Sequence, residues 1–134
     1  MEKITISKIL VLVDFTPLSI KAVEWAKDLS EKYGNAEIIL FHELEDIYTI
    51  FKLNFSFGLP VSPDLKEKEW NKAKEKLELL VKELKNARYI LEAEGKVEKR
   101  LPIIVNQENP DLVIIYKDYE DVVEDLSKPT LVIK

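Results

Sequence analysis

Few residues in this chain of 134 amino acids are of types, and at spacings, that could do chemistry. Asp14 closes the apolar run Ile9 to Val13 and is followed by Phe15, Thr16 and Pro17. A carboxylate at the end of a buried strand can take hydrogen bonds from a polar ligand. It can equally cap the helix start that Thr16 and Pro17 announce. Both readings stay open, and they are compatible. His42, the only histidine, ends a second apolar run, Ala36 to His42. A lone imidazole there reads as hydrogen-bonded packing rather than chemistry. Tyr116 and Lys117 stand together after a third run, Leu112 to Tyr116. Lys117 is the only cation near that turn, and local pairing suits it better than a phosphate.

Motifs for catalysis are missing. Gly95-Lys96 lacks the upstream glycine of a phosphate-binding loop and is followed by Val97. Neither G-x-S-x-G nor H-E-x-x-H occurs. With no cysteine, disulfides, thiolate zinc sites and cysteine nucleophiles are excluded, and a reducing cytoplasm is the simplest home. The expectation is a protein that is not an enzyme and carries no metal or cofactor.

The elements that must position these residues follow from periodicity. Ile9 to Val13 is continuously apolar, as suits a parallel strand covered on both faces. Thr16 and Pro17 then open a helix with Leu18, Ala22, Trp25, Ala26 and Leu29 at helical spacing, closed by Gly34. Ala36 to His42 is a second strand. Glu43 to Val61 is rich in apolar residues without a clear helix pattern, and Leu53 to Gly58 (LNFSFG) alternates like a short strand. This stretch reads either as a flap over the core or as a partner or ligand surface. Ser62 and Pro63 start a long helix to about Lys85, with Trp70, Ala73, Leu77, Leu80, Val81 and Leu84 as its buried stripe and a solvated face of Lys and Glu. Arg88 to Ala93 is a third strand. Lys96 to Asn109 is a weaker helix with a start or kink at Pro102. Leu112 to Tyr116 is a fourth strand opened by Asp111, Asp118 to Leu126 a short acidic helix, and Pro129 to Lys134 the final strand.

Strands alternating with helices predict an α/β fold with a parallel sheet. The length fits one domain over residues 1–134, and 46% hydrophobic against 34% charged residues favours folding over disorder. A formal net charge of −5 argues against nucleic acid or an anionic membrane as partner. No apolar run approaches the roughly 18 residues of a membrane span.

In this order the segments resemble the universal stress protein family. "KILVLVDFTPLSIKAVEWAKDLSEKYGNAEIILFHE" looks like that family's first strand, Asp turn, helix and second strand ending in His. "NPDLVIIY" stands where the family has its "aDLIV" strand, and "SKPTLVIK" looks like its closing "cPVLVV" strand. The resemblance implies a Rossmann-like, five-stranded parallel sheet ordered 3-2-1-4-5 with helices on both faces, similar to the adenine nucleotide alpha hydrolase-like folds. Ligands would bind at the carboxyl ends of strands 1 and 4, where the order reverses. Asp14 matches the family aspartate beside adenine and ribose. The candidate pocket is therefore Asp14, Phe15, Thr16, His42, Tyr116 and Lys117. The resemblance also implies a symmetric homodimer through the last strand, carried by Thr130, Leu131, Val132 and Ile133.

One departure bears on function. ATP-binding members carry Gly, two residues, Gly, nine residues, then Gly-Ser or Gly-Thr after strand 4, where backbone N–H groups hold phosphates. This chain has only Gly34, Gly58 and Gly95, none of them after strand 4. Its segment reads "YKDYEDVVEDLSKPT", and the resemblance implies that Tyr116, in place of the glycine-bearing turn, could fill the base or phosphate space. Each charge-assisted bond to phosphate contributes about 1.5–3 kcal/mol, so losing three weakens binding by three or more decades. Asp118, Glu120, Asp121, Glu124 and Asp125 would add repulsion, about 3 kcal/mol for one carboxylate 5 Å from a phosphate charge. The expectation is a stress-response interaction protein, with an unknown protein partner, that does not bind ATP. The alternative is an ATP or AMP sensor with a remodelled phosphate site.

Overall fold

A computed structural model describes residues 3–59 and 63–134. The elements are β1 (Lys8–Leu12), α1 (Pro17–Lys32), β2 (Glu37–Glu43), α2 (Glu45–Ser56), α3 (Pro63–Lys82), β3 (Ala87–Glu92), α4 (Val97–Glu108), β4 (Leu112–Tyr116), a 3-10 segment (Lys117–Asp125) and β5 (Thr130–Ile133). All neighbouring strands pair in parallel, in the order β3-β2-β1-β4-β5. This is the expected α/β sheet. Its order reverses between β1 and β4, so the crossovers diverge there and open a crevice at the strands' carboxyl ends.

Ile9 to Val13, Ile38 to Phe41 and Val113 to Tyr116 are buried at every successive position. Alternate side chains of a strand point to opposite faces, so unbroken burial means that both faces of the central sheet are covered. Asp111 fixes the register at the amino end. Its Oδ2 accepts hydrogen bonds from the backbone N–H groups of Ser7 (2.7 Å) and Lys8 (3.1 Å). At the edge, β5 pairs with β4 alone among the described residues.

Thr16 caps α1 by accepting from Ser19 N at 3.4 Å, Pro17 takes the first helical position, and Gly34 follows the helix with φ +71°. Three other expectations change. The segment 53–58 read as a short strand falls in helix α2 and the turn that follows it. Ile47, Ile50, Phe51 and Asn54 lie at helical spacing on its inward side. The alternation at Leu53, Phe55 and Phe57 points outward instead, leaving these residues 52%, 87% and 74% exposed. Val61 and the capping Ser62 lie outside the described residues. In α4, Pro102 is not a start. The helix begins five residues earlier, and the burial of Val97, Leu101, Ile104 and Val105 compensates for the one backbone donor that proline lacks. The short acidic helix is a 3-10 segment interrupted at Tyr119 (φ −120°, ψ 18°), whose Val122 is buried.

Candidate functional site

A crevice of about 460 Å³ lies over the carboxyl ends of β1 and β2, walled by α2, the first turns of α3 and Tyr119 of the 3-10 segment. Asp14 enters it from the β1–α1 turn. That turn is tightly held. Asp14 N–H donates to Ser19 Oγ (2.9 Å), and Asp14 Oδ1 accepts from Thr16 N (3.1 Å) and Thr16 Oγ1 (2.5 Å). Asp14 therefore supports the helix start and lines the crevice as well. Between the two, Phe15 sits at φ +65°, a left-handed conformation that is rare for an aromatic residue.

His42 is anchored. Its Nδ1 lies 2.6 Å from Val13 O and so must carry the proton that it donates. Burial is the main force holding its pKa below the usual 6.5, ahead of the opposing pull of the Val13 carbonyl and the Asp14 charge. The ring of Phe15 lies 4.9 Å away, centroid to centroid. Both rings border a smaller depression of about 140 Å³ beside the crevice. Lys72 and Lys76, one helical turn apart on α3, complete its wall, with Lys76 Nζ 5.2 Å from the centre of the Phe15 ring.

Among the sequence candidates, Asp14 and His42 line the crevice, and Phe15 and His42 line the depression. Thr16 and Lys117 are exposed and line neither. Tyr116 is wholly buried beneath the site, its ring edge-on to Tyr119 at 5.3 Å. It belongs to the core, and the aromatic facing the crevice is Tyr119. Burial first, then the Asp14 carboxylate, raise the Tyr116 phenol far above its ordinary range, and its hydroxyl has no hydrogen-bond partner among the described residues. Tyr119 is pushed up to about 12 by burial and by the charges of Glu45 and Asp14.

Sequence reasoning missed the acids of the β2–α2 junction. Glu43 is only 4% exposed. Its Oε1 accepts from the backbone N–H groups of Glu94 (2.7 Å) and Gly95 (2.9 Å), while Oε2 is buried with no donor to it among the described residues. Burial, reinforced by the neighbouring Glu92, raises the Glu43 carboxyl to about 8. Burial acts upward on Glu92 too, but the Arg100 guanidinium, 2.6 Å away, outweighs it and holds Glu92 below the usual carboxylate range. Glu45 Oε1 accepts from Val97 N (2.6 Å) and so caps α4, where Lys96 offers no side-chain cap. A single sequence holds little signal for these roles, because Glu43 and Glu45 look like ordinary surface acids, and Lys72 and Lys76 look like a solvated helix face. Among the described residues, no group of three or more acids or histidines is arranged to hold a metal ion.

The family model of the universal stress protein family matches residues 5–117. A universal stress protein of Aquifex aeolicus (strain VF5) is 38% identical over 69 residues, covering 52% of this chain and 50% of that protein, so the match spans half of that relative's length. Two solved structures share the fold. The hypothetical protein MJ0577 superposes with a TM-score of 0.78 at 23% identity, covering 98% of this chain and 97% of its own. The universal stress protein of Archaeoglobus fulgidus in complex with dAMP superposes with a TM-score of 0.64 at 17% identity, covering 98% and 100%.

Proposed function

The chain belongs to the universal stress protein family, and from that premise we propose that it is a non-catalytic interaction protein of the stress response that does not bind ATP. The observation that carries this reading is the acidic 3-10 segment Lys117–Asp125, which follows β4 directly. ATP-binding members present a glycine loop at that position, with free N–H groups for the phosphates. Here Asp118, Glu120, Asp121, Glu124 and Asp125 occupy the segment. The crevice adds Asp14, Glu45, Asp46 and Glu69, and no lysine or arginine among the described residues lines it. A triphosphate placed between these two groups of carboxylates would be repelled from both sides. A reducing cytoplasm is the proposed compartment, in keeping with the absence of cysteine. Two copies are proposed to pair along β5, whose outer edge lies open.

A second reading is an adenine-nucleotide sensor with a remodelled phosphate site. It draws support from Asp14 in the crevice and from Lys72 and Lys76 beside it, a cationic pair away from the 3-10 segment. Equilibrium dialysis against ATP and AMP, with and without magnesium, separates the two. Neither nucleotide should bind more tightly than about 100 μM. Saturable binding of either below about 10 μM would replace the first reading with the second.

A further inference from the structure

Helix α2 ends in a closed cap that turns apolar side chains outward. Gly58, at φ +67°, donates its N–H to Phe55 O (3.2 Å), and Leu59 donates to Asn54 O (2.8 Å). This double closure stops a helix with its last carbonyls satisfied, and it fixes the residues on either side of the glycine to the helix end. Phe57 and Leu59 thereby join Leu53 and Phe55 around that end. All four are exposed, Phe55 and Phe57 by 87% and 74%, and Leu53 and Leu59 by 52% and 56%.

Area and charge say what fits there. A phenylalanine presents about 150–250 Å² when uncovered, so the four side chains offer about 500 Å² per copy. Two such surfaces face to face remove about 1,000 Å² from water, the least that a specific association needs. The chain is 34% charged, yet Lys52 is the only charged residue from Ile47 to Leu59. A surface with so little charge does not repel its own copy. It also lacks what a membrane-surface helix needs, a polar face rich in Lys and Arg, because α2 carries Glu45 and Asp46 against the single Lys52.

We propose that the end of α2 is a self-association surface on which a second copy of this chain docks about a two-fold axis, with Phe55 and Phe57 of each copy packed on the other. In a two-fold contact the same residues serve both sides, so one apolar patch is enough. The contact lies apart from the β5 edge. Helix α2 follows β2, and β1 and β4 stand between β2 and β5 in the sheet, so both surfaces are open to a partner at once. At about 1,000 Å² the α2 contact is at the small end of specific interfaces and closes only at high concentration. This inference goes beyond the proposed function and does not rest on it.

The test is sedimentation equilibrium of the full chain carrying Val132→Asp, which takes the β5 edge out of the reading, from about 10 μM to about 1 mM. The mass should rise from one chain toward two and stop there. Adding Phe55→Ser with Phe57→Ser, both exposed, should weaken this association at least about tenfold while the far-ultraviolet circular dichroism stays the same. A control pair, Leu79→Ser with Ile103→Ser, removes exposed apolar side chains elsewhere and should leave it within about twofold. Because the chain has no cysteine, single thiols report proximity directly. A bismaleimide should join chains carrying Ser56→Cys, beside the patch, several times faster than chains carrying Glu98→Cys on α4. A mass of one chain throughout would overturn the proposal, as would growth without limit, equal loss in both double variants, or equal cross-linking at the two thiols. Phosphatidylcholine vesicles that carry down an otherwise monomeric chain would assign the helix end to a membrane and overturn it too. None of these results bears on ATP or on β5, so the proposed function stands or falls separately.

Discussion

Glu43 and Gly95, far apart in sequence, are joined by a 2.9 Å hydrogen bond from the backbone N–H of Gly95 to Glu43 Oε1. With the bond from Glu94 N to the same oxygen and that from Val97 N to Glu45, it ties the β2–α2 junction to the start of α4. The floor of the crevice and the β3–α4 connection are thereby one unit. The carboxyl at its centre is raised to about 8, chiefly by burial and then by Glu92. The folded chain therefore keeps a proton that the unfolded chain releases above about 4.5. Stability should fall as pH rises from about 4.5 to 8 and level off beyond. Glu43→Gln retains the acceptor oxygen and cannot ionise, so denaturant titrations of this variant should show that slope largely removed. An unchanged slope would place the proton elsewhere.

His42 titrates in the opposite sense. Its folded pKa is lowered, chiefly by burial, so stability from the neutral ring is present above about 6.5 and is lost as pH falls through the folded value. Proton NMR of the single imidazole should give a midpoint below 6.5, and Val13 should shift with it because its carbonyl takes the Nδ1 proton. A midpoint above 6.5 would mean that the Val13 hydrogen bond and the Asp14 charge together outweigh burial.

The buried hydroxyl of Tyr116 has no hydrogen-bond partner among the described residues, although the Asp14 carboxylate is close enough to raise its pKa. A buried unsatisfied polar group costs about 1–3 kcal/mol, so Tyr116→Phe should leave stability unchanged or raise it by about 1 kcal/mol. A clear loss in urea denaturation would show that the hydroxyl does bond Asp14.

The scaffold was far more legible than the site. Ile9 to Val13 and Leu112 to Tyr116 announced themselves because strands buried on both faces must be apolar at every position. Thr16, Pro17 and Gly34 marked the ends of α1 through rules that act within a few residues. Segment 53–58 misled because Leu53, Phe55 and Phe57 alternate while the inward face of α2 is set by Ile47, Ile50 and Phe51, a helical period hidden beneath a strand-like one. At the site, Asp14 and His42 were found because each ends a recognisable strand. Glu43, Glu45, Lys72 and Lys76 were missed because their roles depend on what lies across the fold, which local pattern does not encode. Tyr116 was placed a layer too high, the crevice-facing ring being Tyr119, three residues on.

Phe15 should respond to substitution in an inverted order. Its φ of +65° strains any residue with a Cβ by roughly 1–2 kcal/mol, while glycine adopts it freely. Both Phe15→Ala and Phe15→Gly lose the ring contact with His42 and the Lys76 ammonium. Phe15→Gly should nevertheless be the more stable of the two, by about 1 kcal/mol in denaturant midpoints analysed at a common slope. The usual order, with alanine ahead, would show that the β1–α1 turn relaxes out of the left-handed region once the ring is gone.

The open edge of β5 gives the last prediction. Thr130, Leu131 and Val132 are half-buried, and among the described residues β5 has a strand partner on one side only. If two copies pair there, sedimentation should give a dimer at micromolar concentration. An unpaired charge buried between two strands opposes their association by several kcal/mol. Val132→Asp should therefore shift the chain to monomer while leaving its far-ultraviolet circular dichroism intact, because β5 holds to β4 through four register pairs, Val113 with Thr130 to Tyr116 with Ile133. A chain that sediments as a monomer before any substitution would dismiss β5 as the pairing edge. So would a dimer that Val132→Asp leaves intact, and the contact would then belong to another surface, such as the outward face of α2 with Leu53, Phe55 and Phe57.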